Sequence, residues 1–120
     1  SRIDFVLTYC FYGAPDRIRT CDRCLPNASL PMMLDDDTRL ESANLTKTED
    51  RYVNTIVTRT VADYDVNLFI LQMKTSIADN ICTIKDTRAA LDSGVTFVYE
   101  YNDSVGDHIA DVYIAIDNCP

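Results

Sequence analysis

From Val53 to Val61 the chain alternates: Val53, Thr55, Val57, Arg59 and Val61 fall on one side, Asn54, Ile56, Thr58 and Thr60 on the other. A period of two in a β-branched run predicts a strand. Upstream, Leu40, Ala43 and Leu45 among polar residues predict an earlier strand, entered from Leu34 through Asp35, Asp36 and Asp37, with a turn over 48–51 between the two. Beyond Asp65 the period changes. Val66, Phe69, Ile70, Met73, Ile77 and Ile81 recur at helical spacing, one apolar stripe on a helix of about four turns that must face a sheet. Cys82 ends it. Thr83 and Asp86 have the spacing of a capping box opening a second, short helix through Leu91, with Gly94 in the position that closes helices. Two further strands are predicted at Val95–Tyr101 and Ile109–Asp117, joined by the turn-rich run Asn102–Asp107. Val95, Phe97, Tyr99 and Tyr101 share one face of the first. Ala110, Val112, Ile114 and Ile116 share a face of the second, opposite Asp111, Tyr113 and Asp117. The order strand, strand, helix, helix, strand, strand predicts an α+β fold, a four-stranded antiparallel sheet with both helices on one face.

The first residues read differently. Gly13, Pro15, Pro26 and Pro31 interrupt them, and they carry Cys10, Cys21 and Cys24 and the arginines at 2, 17, 19 and 23. Residues 1–31 therefore read as an irregular leader or N-terminal extension, and 32–120 as the folded domain. The apolar run Ile3–Tyr12 is well short of the roughly 20 residues that span a bilayer, and it contains Asp4. Its length suits a signal-peptide core, but Asp4 lies inside it, Arg2 is the only preceding charge and no small-residue cleavage site clearly follows, although a start at Ser1 is compatible with a leader already removed.

Composition narrows the function. A length of 120 residues bounds the chain to one compact domain. A formal charge of −8 disfavours nucleic acid and anionic lipid and favours basic partners. His108 is the sole imidazole and no Gly-x-Ser-x-Gly occurs, so a hydrolase triad is not expected. Three glycines leave little for a phosphate-binding loop. Asp35, Asp36 and Asp37 lack EF-hand spacing and read as a solvated turn. Arg88 and Asp92 form an i, i+4 pair of structural character. No metal and no cofactor are expected.

The five cysteines divide into two sets. Cys82 ends the long helix and Cys119 the last strand, so the layered fold puts both at one edge. A disulfide there would stabilise by about 3 to 4 kcal/mol in the chain-entropy description and imply an oxidising compartment, periplasmic or secreted; two buried thiols are the alternative. Cys10, Cys21 and Cys24 are the second set, with Cys21 and Cys24 spaced Cys-x-x-Cys. Zinc would require a second such pair or two histidines, and a thioredoxin-type motif would require a following helix that Pro26 and Pro31 obstruct. Free or incidentally paired thiols are the simpler reading.

Seven tyrosines without a tryptophan make Tyr99, Tyr101 and Tyr113 a candidate binding face, the alternative being core rings with surface-reaching hydroxyls. The leading functional reading is an exported protein-binding or adaptor module without catalytic activity. An acidic inhibitor or immunity-type protein that docks on a basic partner is the alternative, and a thiol redox protein using Cys21 and Cys24 a second. The partner is another protein or a second copy, since an exposed Val53–Val61 edge would template a homodimer unless Arg59 guards it.

Leu30-Pro31, then Leu34-Asp35-x-x-Thr38-x-Leu40, Cys82 with Arg88, Leu91 and Gly94, and finally Tyr99-x-Tyr101 and Cys119 together resemble a pattern in small exported bacterial proteins of unknown function. The resemblance spans about residues 30 to 119. It implies a leader, a strand pair, a helix pair and a final hairpin closed by a cysteine, and it supplies no catalytic residue. The upstream cysteines depart from the pattern. Separately, Gly13 to Asp22 resembles a string found in bacterial reading frames that overlap transfer-RNA genes. That origin suits a mobile element such as an integron cassette and would lower the functional weight of the Cys-x-x-Cys.

Overall fold

The computed structural model describes residues 30–120 together with two short strands upstream, β1 (Phe11–Tyr12) and β2 (Leu25–Pro26), which pair with each other in parallel. The main sheet contains β3 (Met32–Met33), β4 (Thr38–Leu45), β5 (Glu49–Ile56), β6 (Thr96–Asn102) and β7 (His108–Ile114), side by side in that order. Two helices, α1 (Val66–Ile81) and α2 (Lys85–Asp92), connect β5 to β6. The class is α+β, as the periodicity predicts.

The sheet itself differs from the expected one. It has five strands, and it is mixed, because β5 and β6 run parallel while every other neighbouring pair is antiparallel. A hairpin must reverse direction, but a connection containing two helices can cross the sheet and lay the next strand down in the same sense. One consequence removes the predicted dimer edge. β5 lies between β4 and β6, so both its sides are hydrogen-bonded within the chain.

Strand bounds shift for local reasons. β5 begins at Glu49, inside the predicted turn, because Thr46 closes that turn earlier: its hydroxyl accepts from the Glu49 amide at 3.0 Å. At the other end β5 stops at Ile56, and the chain passes through a 3₁₀ turn, Val61–Asp63, where the Asp63 carboxylate accepts from the Thr60 amide. Leu40 and Ala43 are three apart, an odd interval for one strand face. A register shift between Leu40 and Ser42 absorbs the extra residue and returns Ala43 and Leu45 inward. The last strand ends at Ile114 rather than Asp117. There the Asn118 side chain accepts from the Ala115 amide at 2.9 Å, turning Ile116–Asn118 into a 3₁₀ turn.

The predicted capping box of α2 is absent. Ile84 occupies the N-cap, while the Thr83 hydroxyl donates back to the Asp79 and Asn80 carbonyls of α1. Gly94 closes α2 with φ at 97°, a conformation that side chains resist.

One sheet face, facing the helices, buries Leu40, Leu45, Tyr52, Ile56, Phe97, Tyr99, Val112 and Ile114, and Ile77, Ala78 and Ile81 of α1 close against them. A fully buried side chain of this size stabilises by about 1.5–3 kcal/mol. The opposite face is polar.

Candidate functional site

Three regions bear on function: the polar sheet face, the aromatic interior, and the first two turns of α1. On the polar face, register sets Arg51, Val98 and Tyr113 in one row across β5, β6 and β7. Arg51 pairs with Glu49 and, at 3.1 Å, with Glu100. Its hydrogen bond to Glu49 raises its pKa above the ordinary arginine value, burial opposes this, and Tyr113 and Asp111 reinforce it. Glu100 in turn accepts from Asn102, whose Oδ1 lies 3.2 Å from His108 Nδ1. Toward the other edge, Arg39 holds Glu41 through a forked contact, and Glu41 accepts from the Thr55 hydroxyl at 2.6 Å. The Arg39 bond lowers the pKa of Glu41 despite partial burial. These charges answer one another, so the face works as cross-strand bracing.

The interior carries the tyrosines. Tyr52 and Tyr99 stack at 5.1 Å between ring centroids, and an edge-to-face row runs from Tyr64 to Phe69 to Tyr101 at 5.1 and 5.2 Å. Burial pushes the Tyr99 hydroxyl well above its usual pKa, with Tyr52, Tyr101 and Asp50 adding to the shift. Its oxygen has no hydrogen-bond partner among the described residues. Tyr101 is raised likewise by burial. Tyr113 instead sits on the polar face, 49% exposed. The structure therefore does not unite Tyr99, Tyr101 and Tyr113 in one binding face, since one residue of offset on antiparallel partners places them on opposite sides of the sheet.

Cys82 and Cys119 are brought to disulfide distance, with Cα atoms 5.6 Å apart and 37 residues between them in sequence. The terminal 3₁₀ turn, not a strand, delivers Cys119 there. Cys10, Cys21 and Cys24 lie outside the described residues. Among the described residues no group of three or more histidine, cysteine, aspartate or glutamate side chains is arranged to hold a metal ion. No helix there is long and apolar enough to cross a membrane.

The first two turns of α1 are the region that the stripe alone does not predict. Asp65 caps the helix, its carboxylate accepting from the Leu68 amide at 3.2 Å. Leu68 and Leu71, three residues apart and so on one helix face, are 48% and 63% exposed. Val66, Phe69, Ile70 and Met73 pack only partly against the core, whereas Ile77, Ala78 and Ile81 are buried. The sequence does hold a signal: Leu68 and Leu71 fall off the stripe and make this end of the helix apolar nearly all round.

The β6–β7 connector is fastened to the chain just ahead of α1. Asp103, almost fully buried, accepts from the Val61 amide at 2.9 Å, the Val105 amide at 3.0 Å and the Asp107 amide at 2.7 Å, and Ser104 donates to the Arg59 carbonyl. Burial raises the carboxyl pKa, and the amides of Val61, Asp107, Val105 and Gly106 together outweigh it, leaving a net lowering. Val105, 70% exposed, is thereby fastened to the segment that leads into α1.

No family model and no curated protein matches the chain. Solved structures do. A candidate secreted protein from Pseudomonas aeruginosa superposes with a TM-score of 0.66 at 12% identity, covering 78% of this chain and 82% of its own. The pilotin EpsS of the Vibrio vulnificus type 2 secretion system gives 0.59 at 17% identity, covering 78% and 81%. The type II secretion system pilotin AspS of Vibrio cholerae gives 0.56 at 18% identity, covering 77% and 80%. At such identities the likeness is one of fold: the chain shares its architecture with these three proteins.

Proposed function

We propose that the chain is a small exported protein-binding module without catalytic activity, gripping a protein partner at the first two turns of α1. The observation that carries this reading is the pair of exposed leucines, Leu68 and Leu71, on a helix whose other end is locked into the core. Apolar side chains exposed together on one helix face offer a surface of the kind that binds partners. The fold supports it, being shared with two secretion-system pilotins and a candidate secreted protein. Cys82 and Cys119 support export, since a disulfide persists in an oxidising compartment.

Photo-crosslinking in the native host tests the proposal, with the reactive group at position 71 and, as control, at exposed position 83. One discrete protein adduct at 71 and none at 83 is expected. Equal adducts at both positions, or none at 71, would overturn it. The acidic-inhibitor reading is favoured by one observation, the formal charge of −8. It requires the association rate to fall steeply with ionic strength, as rates steered by net charge do.

A further inference from the structure

We infer that the apolar run directly ahead of β1, Ile3 to Cys10, lies over the β4–β5 half of the core face and closes it from within the chain. The inference is independent of the binding role proposed for α1. It begins from a mismatch of width. α1 packs most closely against β7, and α2 against the terminal 3₁₀ turn. β4 is the third strand from β7, about 14 Å away at the usual strand spacing, whereas a helix is about 10 Å across. Seated on β7, α1 reaches β6 and stops short of β4. Yet the inward row of β4 is among the most deeply buried in the molecule: Leu40, Ala43 and Leu45 are 0%, 4% and 3% exposed. Burial to that depth requires apolar atoms laid on top. The start of the chain is what lies nearest. Leu30 packs against the core and leads through Pro31 into β3, the strand beside β4, and β1 also lies against β4. The residues that precede β1 are thus delivered to the part of the sheet that α1 does not reach. Their pattern fits: Ile3, Phe5, Leu7 and Tyr9 occupy alternate positions, which in extended backbone gives one apolar side opposite Asp4 and Thr8. A run of 8 residues spans about 26 Å when extended, ample for the roughly 5 Å between β4 and β5. Its tether at β1 gives it an effective concentration that a second copy or a separate partner does not have. The run is then a piece of the domain's core and not a removable leader.

The full chain, with the photoreactive residue benzoylphenylalanine at position 5, can be irradiated in dilute solution and its adduct mapped residue by residue. One intramolecular adduct is expected, to an inward residue of β4 or β5: Leu40, Ala43, Leu45 or Tyr52. An adduct to α1, to the outward residues Glu41, Arg51 or Thr55, or to a second chain, or no adduct at all, would overturn the inference. In the full chain Phe5→Ser/Leu7→Ser should lower the urea midpoint by about 1 M or more, as the loss of two buried side chains does. Phe5→Leu/Leu7→Met keeps the run apolar and should stay close to the parent, as should Val105→Ser at an exposed position. No loss in the serine pair, or an equal loss in the apolar pair, also overturns it. The crosslink at position 71 is read separately, so the α1 proposal stands or falls on its own result.

Discussion

The two ends of α1 belong to one helix and do different work. Its last turns bury Ile77, Ala78 and Ile81 against the sheet and lead into Cys82, which meets Cys119. Its first turns leave Leu68 and Leu71 in solvent above a half-buried layer. The same apolar residue types thus hold the fold together at one end and remain available at the other. Stability and binding should therefore separate along the helix, and each can be altered alone.

The largest effect is expected at the locked end. Cys119→Ser, or reduction of the native protein, should remove about 3 to 4 kcal/mol of stability, read as a lower urea midpoint than that of the oxidised protein. Ile81→Ala should cost about 3 kcal/mol in the same measurement, because a fully buried side chain leaves a cavity behind. A smaller change is expected at Asp103. Its folded pKa lies below its unfolded one, so it contributes stability above the ordinary carboxylate range and loses it as pH falls through the folded value. Asp103→Asn should flatten the acid limb of a plot of stability against pH. Arg51→Ala should cost about 1 kcal/mol or less, since its partners on the polar face are half-exposed. Smallest of all, Leu68→Ala should stay within about 0.5 kcal/mol of the parent while abolishing the adduct formed from position 71. A large loss of stability in that variant would erase the distinction between the two ends.

The sequence made the secondary structure readable where one face is buried and the other wet. The α1 stripe, the β6–β7 hairpin and Gly94 all follow from local periodicity or backbone demand. What stayed hidden depends on non-local choices. The parallel pairing of β5 with β6 depends on the path across α1 and α2, which residue patterns do not record. β5 divides its residues without a clean apolar face: Val53 and Thr55 lie on the polar side, while Tyr52 and Ile56 share the buried side with Asp50 and Asn54. The alternation alone therefore does not say which side of β5 faces the core. The tyrosines could be assigned to strands but not to a common face, because that requires the register between strands. Leu68 and Leu71 were legible as departures from the stripe, and only their exposure gave those departures meaning.

Asp103 has a mechanical consequence. Its carboxylate and the Ser104–Arg59 backbone bond together span the gap between the hairpin tip and the approach to α1, so a tilt of the helix start would be passed to the tip. A fluorophore on Ser104 would then register an occupant seated several residues away, and the signal would weaken once the Asp103 carboxylate was removed.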